Sequence, residues 1–485
     1  MVFIGLVIRV ILIMLFETLS ARYLGPEKYG TYSFLFTVIV IISTLPTLGL
    51  LQSTRRFIAL FYDQKSHDKV KGVVRFSNYW TFIIGSIFAA LAYLAVSISN
   101  GAIDTETTSL FILLLLIIPF YAHRKLAISV FSGFKNTSYK VILEDITEPT
   151  LRILSISIVM LVGGTLANLV YVTTIAYIVI GIISLTLVRR SLNTAVKKDT
   201  ETTMPWKVFF GFSATMAVTE GIELALTWLD ILMLGLLSTD HQVGLFRATT
   251  QPAMLASVIL TSFAFIYMPL ATELFGRKEF ANWSKLNNLI SLWSMTLAFP
   301  ISAVCIAYPE VVIDILFGDK FAGAENTLRI LSLAYIFHSA CGFTGLNLII
   351  GDKTTTQMKG KVISLLLHII LNLIFIPNYG ALGAAFSVLL SLLFSNLYNL
   401  YWTNKYFSIH PFEKTYFSLL ILNISISVCL YLFLALFHLA GYIELLIMGV
   451  MHLPLFALIS LKTGIVKKEQ FVVIIEWVNS ARKSK

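Results

Sequence analysis

Three carboxylates and one hydroxyl recur at helical spacing inside a strongly apolar stretch of this 485-residue chain. Glu220, Glu223, Thr227 and Asp230 follow one another at intervals of three, four and three residues, which places all four on one face of a helix. A face with three carboxylates cannot point at lipid, and such groups suit a proton or another cation. The spacing therefore predicts that this face lines a cavity or meets a partner helix.

Arginines also occur in apolar stretches, where a charge needs a function or a partner. Arg9 lies about five or six residues inside the first stretch, too deep for an anchor at its end. Arg247 lies within reach of Asp230 across a short turn, which predicts a salt bridge at the rim of the membrane. Glu148 and Arg152 are four residues apart and can pair on one helix.

Membrane-spanning helices must position these side chains. The chain is 57% hydrophobic and 13% charged, with a mean hydropathy of +0.83. Its apolar runs are about 20 residues long, enough to cross about 30 Å of hydrocarbon as helices, and lipid leaves no other way to satisfy the backbone. We therefore predict an all-α integral membrane protein with about 14 transmembrane helices. The predicted spans are 2–22, 31–51, 76–98, 108–131, 143–163, 167–188, 208–237, 245–271, 286–308, 326–350, 359–376, 380–402, 415–437 and 441–461.

Positive charge is distributed unevenly between alternate connections. One set of connections, with the segment after residue 461, holds 29 of the 36 Lys and Arg residues. This count includes Arg124, Lys125, Lys359 and Lys361, which lie inside predicted spans and are counted with the adjoining connections. The opposite set holds Arg22, Lys28 and Lys320. The positive-inside rule then places the basic set and both chain ends in the cytoplasm. Membrane topology, not nucleic-acid binding, explains the net charge of +10.

A weak internal repeat divides the chain. An offset of 214 residues aligns 24–32 with 238–246, and an offset of 216 aligns 164–167 with 380–383. Both matches fall at turns between corresponding helices, which favours a six-helix unit used twice over a chance alignment of glycine-containing turns. The predicted organisation is an N-terminal lobe at 1–190, a cytoplasmic linker at 191–207, a C-terminal lobe at 208–403, helices 13 and 14 at 415–461, and a basic cytoplasmic tail at 462–485.

No motif for catalysis stands out in the sequence. A glycine-rich phosphate loop and a Walker-type lysine are both missing, so we do not expect ATP hydrolysis. Cys305, Cys341 and Cys429 have spacings that suggest neither a metal site nor a disulfide, and His338 is expected to bond to a neighbouring helix. No connection exceeds about 25 residues, which leaves no room for a soluble catalytic domain. We predict no enzyme activity, no cofactor and no metal.

Four regions carry an ordered pattern of Gly, Pro and apolar residues. They are 21–32, then 230–235 with 243–246, then 308–318 with 328–331, and 371–385. In this order, along nearly the whole chain, they resemble the polysaccharide biosynthesis (oligosaccharide flippase) family of the multidrug/oligosaccharidyl-lipid/polysaccharide exporter superfamily. Family members often have a short cytoplasmic lead, so we expect that this N-terminus is slightly truncated. Residues 1–19 are predicted to be a retained span and not a signal peptide.

The resemblance implies a two-lobed, V-shaped transporter of six plus six helices, followed by two more. It implies movement of polyprenyl-diphosphate-linked oligosaccharides from the cytoplasmic to the outer leaflet of the cell membrane by alternating access. It also implies a cationic cavity for the diphosphate, a role that Arg9 fits by depth and by helix. The candidate substrate-binding residues are Arg9, Arg152 and Arg247, and the candidate ion-coupling or cavity-lining residues are Glu220, Glu223 and Asp230.

The expected partners are the lipid-linked oligosaccharide, membrane lipids, a coupling H+ or Na+ and enzymes of glycan assembly, without nucleic acid. The repeat makes Arg9 the counterpart of Glu223. Two interpretations stay open: the two residues form an ion pair, or they act independently in binding the substrate and the ion. Two other functions also stay open. An ion-coupled exporter of small cationic drugs or metabolites has the same architecture. A membrane glycosyltransferase or polymerase would need a larger outer loop than 309–325.

Overall fold

The computed structural model of the protein describes residues 2–98, 105–136, 138–196, 201–437 and 439–463. Within these residues the regular secondary structure is helical, without a β-strand. The helices are α1 Val2–Thr44, α2 Leu50–Asp63, α3 His67–Ile98, α4 Thr105–Leu115, α5 Ile117–Gly133, α6 Ser138–Lys140, α7 Glu148–Val162, α8 Leu166–Ala195, α9 Trp206–Leu237, α10 Asp240–Gly276, α11 Phe280–Ala307, α12 Pro309–Phe317, α13 Glu325–Cys341, α14 Thr344–Ile350, α15 Thr354–Phe407, α16 Lys414–Ala435 and α17 Gly441–Lys462, with a π-helix at Val141–Thr147. The predicted tail beyond residue 463 and part of the predicted linker lie outside the described residues.

The helices of the described residues match the fourteen predicted spans. By length and hydropathy alone, nine helical stretches of the described residues qualify as membrane spans, and α15 is counted as one of them. Yet the 54 residues of α15 correspond to about 80 Å of helix, far more than the membrane requires. It is broken at Gly380 (φ 55°, ψ −128°), and α1 is broken at Gly25 (φ 75°, ψ 169°), so each supplies two spans. Glycine readily adopts positive φ, which explains both positions.

One predicted connection contains a helix. Residues 52–75 were expected to link two spans, and α2 lies there instead. Its buried face carries Phe57, Ile58 and Phe61, while Arg55 and Arg56 are exposed. This alternation at helical spacing is typical of an amphipathic helix at a surface.

By contacts the chain divides into two compact units, residues 1–247 and 248–485. In the first unit, α1, α5, α7 and α8 surround an apolar core, and α9 packs against α1 and α2. In the second unit, α11 packs against α13, α16 and α17. The boundaries predicted for the two lobes are not tested by this division and stay predictions.

Histidines connect neighbouring helices within each unit. His123 on α5 bonds to Asn78 Oδ1 on α3 at 2.7 Å and to Ser184 Oγ on α8 at 3.1 Å. His338 on α13 lies 3.1 Å from Asn396 Oδ1 on α15. The prediction that His338 bonds between helices is confirmed.

The two turns aligned by the repeat meet at their glycines. A Cβ atom on Gly30 would collide with the backbone carbonyl of Asp240, and one on Gly244 would collide with that of Pro26. Gly30 and Gly244 are 214 residues apart, as are Pro26 and Asp240, so the contact is reciprocal. The Thr31 hydroxyl also donates to Asp240 Oδ2 at 2.5 Å. The second half of α1 and the first turns of α10 thus approach closely because small residues lie at their crossing.

Candidate functional site

Arg9 on α1 is paired but accessible. Its Nη1 lies 2.7 Å from Glu144 Oε1 and 3.8 Å from Asp145 Oδ1. The side chains of Arg9 and Glu144 are 35% and 26% exposed, whereas Asp145 is buried. The sequence left open an ion pair between Arg9 and Glu223. In the structure, Arg9 pairs with Glu144 instead. Sequence reasoning overlooked both acidic partners, although they stand among apolar residues at the start of a predicted span.

A π-helix presents these two carboxylates to Arg9. The α-helical bond that ends at the Asp145 carbonyl would come from Pro149, which has no N–H and whose ring would press on that carbonyl. The wider turn of Val141–Thr147 accommodates this defect. Gly5 lies on the facing turn of α1, where a Cβ atom would approach the Asp145 carboxylate to 2.7 Å. The missing side chain therefore lets α1 pack closely against the π-helix.

A second ion pair lies deeper in the same bundle. Arg124 Nη2 contacts Glu148 Oε2 at 2.7 Å, and the Tyr177 hydroxyl donates to Glu148 Oε1 at 2.9 Å. Arg124, which the charge count assigned to a connection, is buried in α5. The spacing of Glu148 and Arg152 predicted a salt bridge between them, but Glu148 forms its salt bridge with Arg124. The side chain of Arg124, on the neighbouring helix α5, reaches the Glu148 carboxylate, whereas that of Arg152, one turn along α7, does not form this salt bridge.

Arg152 lies instead among aromatic rings. Its guanidinium carbon is 4.2 Å from the centroid of the Phe16 ring and 4.8 Å from that of Phe36. Cation–π contacts of this kind stabilise a cation that is withdrawn from water. Its Nε has no hydrogen-bond partner among the described residues.

Glu17 forms the third ion pair, with Arg247. Its Oε1 lies 2.6 Å from Arg247 Nη2, and the two side chains are 2% and 13% exposed. The Tyr29 hydroxyl donates to the other carboxylate oxygen. The salt bridge that we expected between Arg247 and Asp230 is therefore made with Glu17, because α1 brings its carboxylate directly to the start of α10. Glu17 has no Lys or Arg within four residues in the sequence, so spacing did not predict an ion pair for it.

The predicted face of α9 lies in mixed surroundings. Glu220 Oε2 accepts a hydrogen bond of 2.7 Å from the backbone N–H of Gly49, which has a φ of 71°. Glu223 and Thr227 are exposed, while Asp230 is buried. The face thus bonds to the residue before α2 at its Glu220 end and is exposed in its middle. It is buried at its Asp230 end. Among the described residues, no group of three or more His, Cys, Asp or Glu side chains is placed to hold a metal ion.

The three predicted arginines do not form one cluster. Arg247 pairs with Glu17 and Arg152 packs on the neighbouring Phe16, whereas Arg9 lies eight residues, or about 12 Å of helix, before Glu17 on α1. The ion pairs of Glu148 and Glu17 are enclosed between helices, whereas the Arg9 guanidinium is paired and partly exposed. Arg9 is therefore the predicted arginine whose surroundings best suit binding.

Comparison with known sequences identifies relatives of this chain. The family model described as "Polysaccharide biosynthesis protein" matches residues 1–275. An uncharacterized membrane protein of Methanocaldococcus jannaschii is 26% identical over 384 residues, which cover 74% of this chain and 73% of that protein. The probable low-salt glycan biosynthesis flippase Agl15 of Haloferax volcanii is 24% identical over 184 residues, 38% of this chain and 39% of that protein.

Solved structures with the same fold include two kinds of transporter. The lipid II flippase MurJ, in an inward closed conformation, matches with a TM-score of 0.71 and 15% identity over 96% of this chain and 99% of that one. An inward-facing multidrug resistance MATE family transporter of the MOP superfamily matches with a TM-score of 0.64 and 15% identity, over 83% of this chain and 98% of that one. At these identities the likeness concerns the fold, and it confirms the predicted fold class.

Proposed function

The chain belongs to the polysaccharide biosynthesis protein family, and we propose that it is a flippase for lipid-linked oligosaccharides. It would move a polyprenyl-diphosphate-linked glycan from the cytoplasmic to the outer leaflet by alternating access, for assembly of a cell-surface polysaccharide or glycan. The relative Agl15, named as a probable glycan biosynthesis flippase, supports this function. The fold shared with the lipid II flippase MurJ agrees with it.

The observation that carries the proposal is the accessible Arg9 on a membrane helix. It lies 16 residues, or about 24 Å of helix, before the break of α1 at Gly25. This depth suits a diphosphate that enters from the head-group region while its lipid tail stays in the bilayer. Guanidinium groups bind phosphate oxygens in a bidentate manner, so Arg9 can hold a diphosphate firmly. Because Arg152 and Arg247 are engaged within the bundle, the proposal assigns them to the support of the site.

The proposal includes an orientation and a driving force. Both chain ends lie in the cytoplasm, as the distribution of Lys and Arg predicts, and the membrane is the cell membrane. Glu223 is exposed on a membrane helix, where a carboxylate needs water or a cation, so it can bind a coupling H+ or Na+. Glu220 and Asp230 lie on the same face of the helix and are assigned to the lining of this path. Enzymes that assemble the glycan on its lipid supply the substrate.

Reconstitution tests this function directly. Proteoliposomes would carry a fluorescent polyprenyl-diphosphate oligosaccharide, and an impermeant quencher would report its transfer between leaflets. We expect transfer by the wild-type protein and at least a tenfold slower rate for Arg9→Ala. Arg329→Ala is the matched control, because Arg329 is 36% exposed, against 35% for Arg9, and forms a salt bridge with Glu310 at 2.8 Å. Full transfer by Arg9→Ala would refute the assignment of Arg9.

A second candidate function is the export of small cations, in view of the MATE-like fold. The three carboxylates of α9 would then bind the exported cation. Failure of the wild-type protein to move several glycolipids under an imposed ion gradient, together with efflux of a fluorescent cation, would favour this function. A glycosyltransferase or polymerase would instead lengthen the glycan, which mass spectrometry of the recovered lipid would detect.

A further inference from the structure

We propose that Glu144 and Asp145 are positioning residues that compete with the substrate's anionic group for Arg9, and so set its affinity and its release. This inference rests on the proposed function and concerns the same site. It begins from the fact that the Arg9 guanidinium is already occupied, at 2.7 Å by one carboxylate and with a second at 3.8 Å. Both contacts are made by Nη1, so a diphosphate that binds this nitrogen must displace these groups.

The Arg9 pair differs from the ion pairs of Glu148 and Glu17 in its access to water. The side chains of Arg124 and Glu17 are almost completely buried in their pairs, and parting such a pair would leave a charge unsolvated. Arg9 and Glu144 are both partly exposed, so each can be hydrated when it loses the other. This pair can therefore exchange partners at a low cost in free energy.

The π-helix provides a local way to move the carboxylates. Val141–Thr147 lacks the α-helical bonding pattern over seven residues, and Pro149 prevents the simple return of that pattern at Asp145. The packing of Gly5 on this segment couples its position to α1, which also carries Arg9. A change in the π-helix would move Glu144 and Asp145 without breaking the longer helix α7.

The competition has a consequence for transport. When the site is empty, the two carboxylates neutralise Arg9. When a diphosphate binds, it offers more charge and more acceptor oxygens than one carboxylate, so it can take the guanidinium. When the diphosphate leaves, the carboxylates return and oppose rebinding. A site built from Arg9 alone would hold the substrate more tightly and release it more slowly.

The test measures binding of farnesyl diphosphate, a short polyprenyl diphosphate, to the purified full-length protein. We expect Glu144→Gln to bind about two- to fivefold more tightly than wild type, the range that an exposed ion pair can contribute. Glu144→Asp should restore affinity toward the wild-type value, and Arg9→Ala should bind weakly. Glu310→Gln removes the same charge from the pair with Arg329 and should leave binding unchanged.

Flipping kinetics give a readout that a merely structural role would not produce. Glu144→Gln should lower both the half-saturating glycolipid concentration and the maximal rate, since tighter binding slows release. Asp145→Asn should act in the same direction, with a smaller effect because its carboxylate is farther from Arg9. This second variant keeps the test decisive if Glu144→Gln proves unstable.

The outcomes separate this inference from the proposed function. Glu144→Gln and Asp145→Asn that bind farnesyl diphosphate no more tightly than wild type would overturn the competition, even where wild type flips the glycolipid and Arg9→Ala does not. Wild-type protein that neither binds the diphosphate nor flips the glycolipid would overturn both proposals together.

Discussion

At the scale of single residues, Glu17 shows what a buried charge requires in a membrane bundle. Its carboxylate is 2% exposed, lies 2.6 Å from Arg247 Nη2 and accepts a bond from the Tyr29 hydroxyl. Each oxygen thus has a donor, which offsets the free energy lost when the charge leaves water. Removing one partner would leave the Arg247 guanidinium buried without an opposite charge.

We therefore expect Glu17→Gln to lower the free energy of unfolding by about 3–5 kcal/mol. The measurement is thermal unfolding of the detergent-purified protein, with a decreased melting temperature as the result. Glu310→Gln, in an exposed pair, should change stability by about 1 kcal/mol or less. Equal melting temperatures for the two variants would show that the Glu17 pair contributes no more than a surface pair.

Spacing along the sequence indicated which arginines need a partner, but not which partner each one has. Arg9 and Glu144 are 135 residues apart, and Glu17 and Arg247 are 230 residues apart. Reasoning from neighbours within one turn, or across one short connection, finds only local pairs. It proposed Arg152 for Glu148, whose actual partner Arg124 comes from another helix.

At the scale of helices, close packing depends on where side chains are missing. Gly30 and Gly244 each face a backbone carbonyl of the other segment, and Gly5 faces the Asp145 carboxylate. In lipid, helices gain little from the hydrophobic effect against each other, so close contact between backbones matters more. A methyl group at either glycine of the crossing would force the segments apart.

We expect Gly30→Ala and Gly244→Ala each to destabilise the protein, by roughly 1–3 kcal/mol, as is usual for overpacking. Gly221→Ala on α9 is the control, since a Cβ atom there has no neighbouring atom within 4 Å, and alanine favours a helix. Thermal unfolding of the three variants gives the comparison. A stability unchanged by Gly30→Ala would mean that the crossing relaxes easily.

Hydropathy was sufficient to predict the spans, and turn signals marked the breaks at Gly25 and Gly380. The helix α2 and the π-helix were not predicted. The first lies within a basic connection that was read only for its charge. The π-helix results from Pro149, which cannot donate a hydrogen bond to the carbonyl of Asp145, four residues earlier. This effect leaves no signal in the hydropathy.

At the scale of the whole molecule, the fold class followed from composition because the bilayer allows few solutions. Apolar runs of about 20 residues must become helices in lipid. Their count and order could be read directly from the sequence. The pairing of helices could not, because most faces of these helices are similarly apolar, and the contacts depend on a few glycines and charged groups.

The predicted orientation can be tested with cysteine labelling. In a variant without Cys305, Cys341 and Cys429, a single Gln64→Cys or Lys320→Cys substitution places a thiol at an exposed position. We expect an impermeant reagent to label Gln64→Cys only from the cytoplasmic side and Lys320→Cys only from outside, as the positive-inside rule requires. Labelling from the opposite sides would invert the topology and the proposed direction of transport.

The reciprocal crossing of Gly30 and Gly244 also bears on how the chain arose. Each segment offers the other an equivalent glycine and an equivalent carbonyl, which is the arrangement of an isologous interface in a twofold homodimer. A chain of half this length, with one copy of the turn, would present both surfaces at once and pair with itself. Fusion of two such genes would preserve that interface within one polypeptide while freeing each copy to diverge. Equivalent positions of the two copies now hold different residues, Pro26 in one and Asp240 in the other, which is the kind of difference that such divergence would leave.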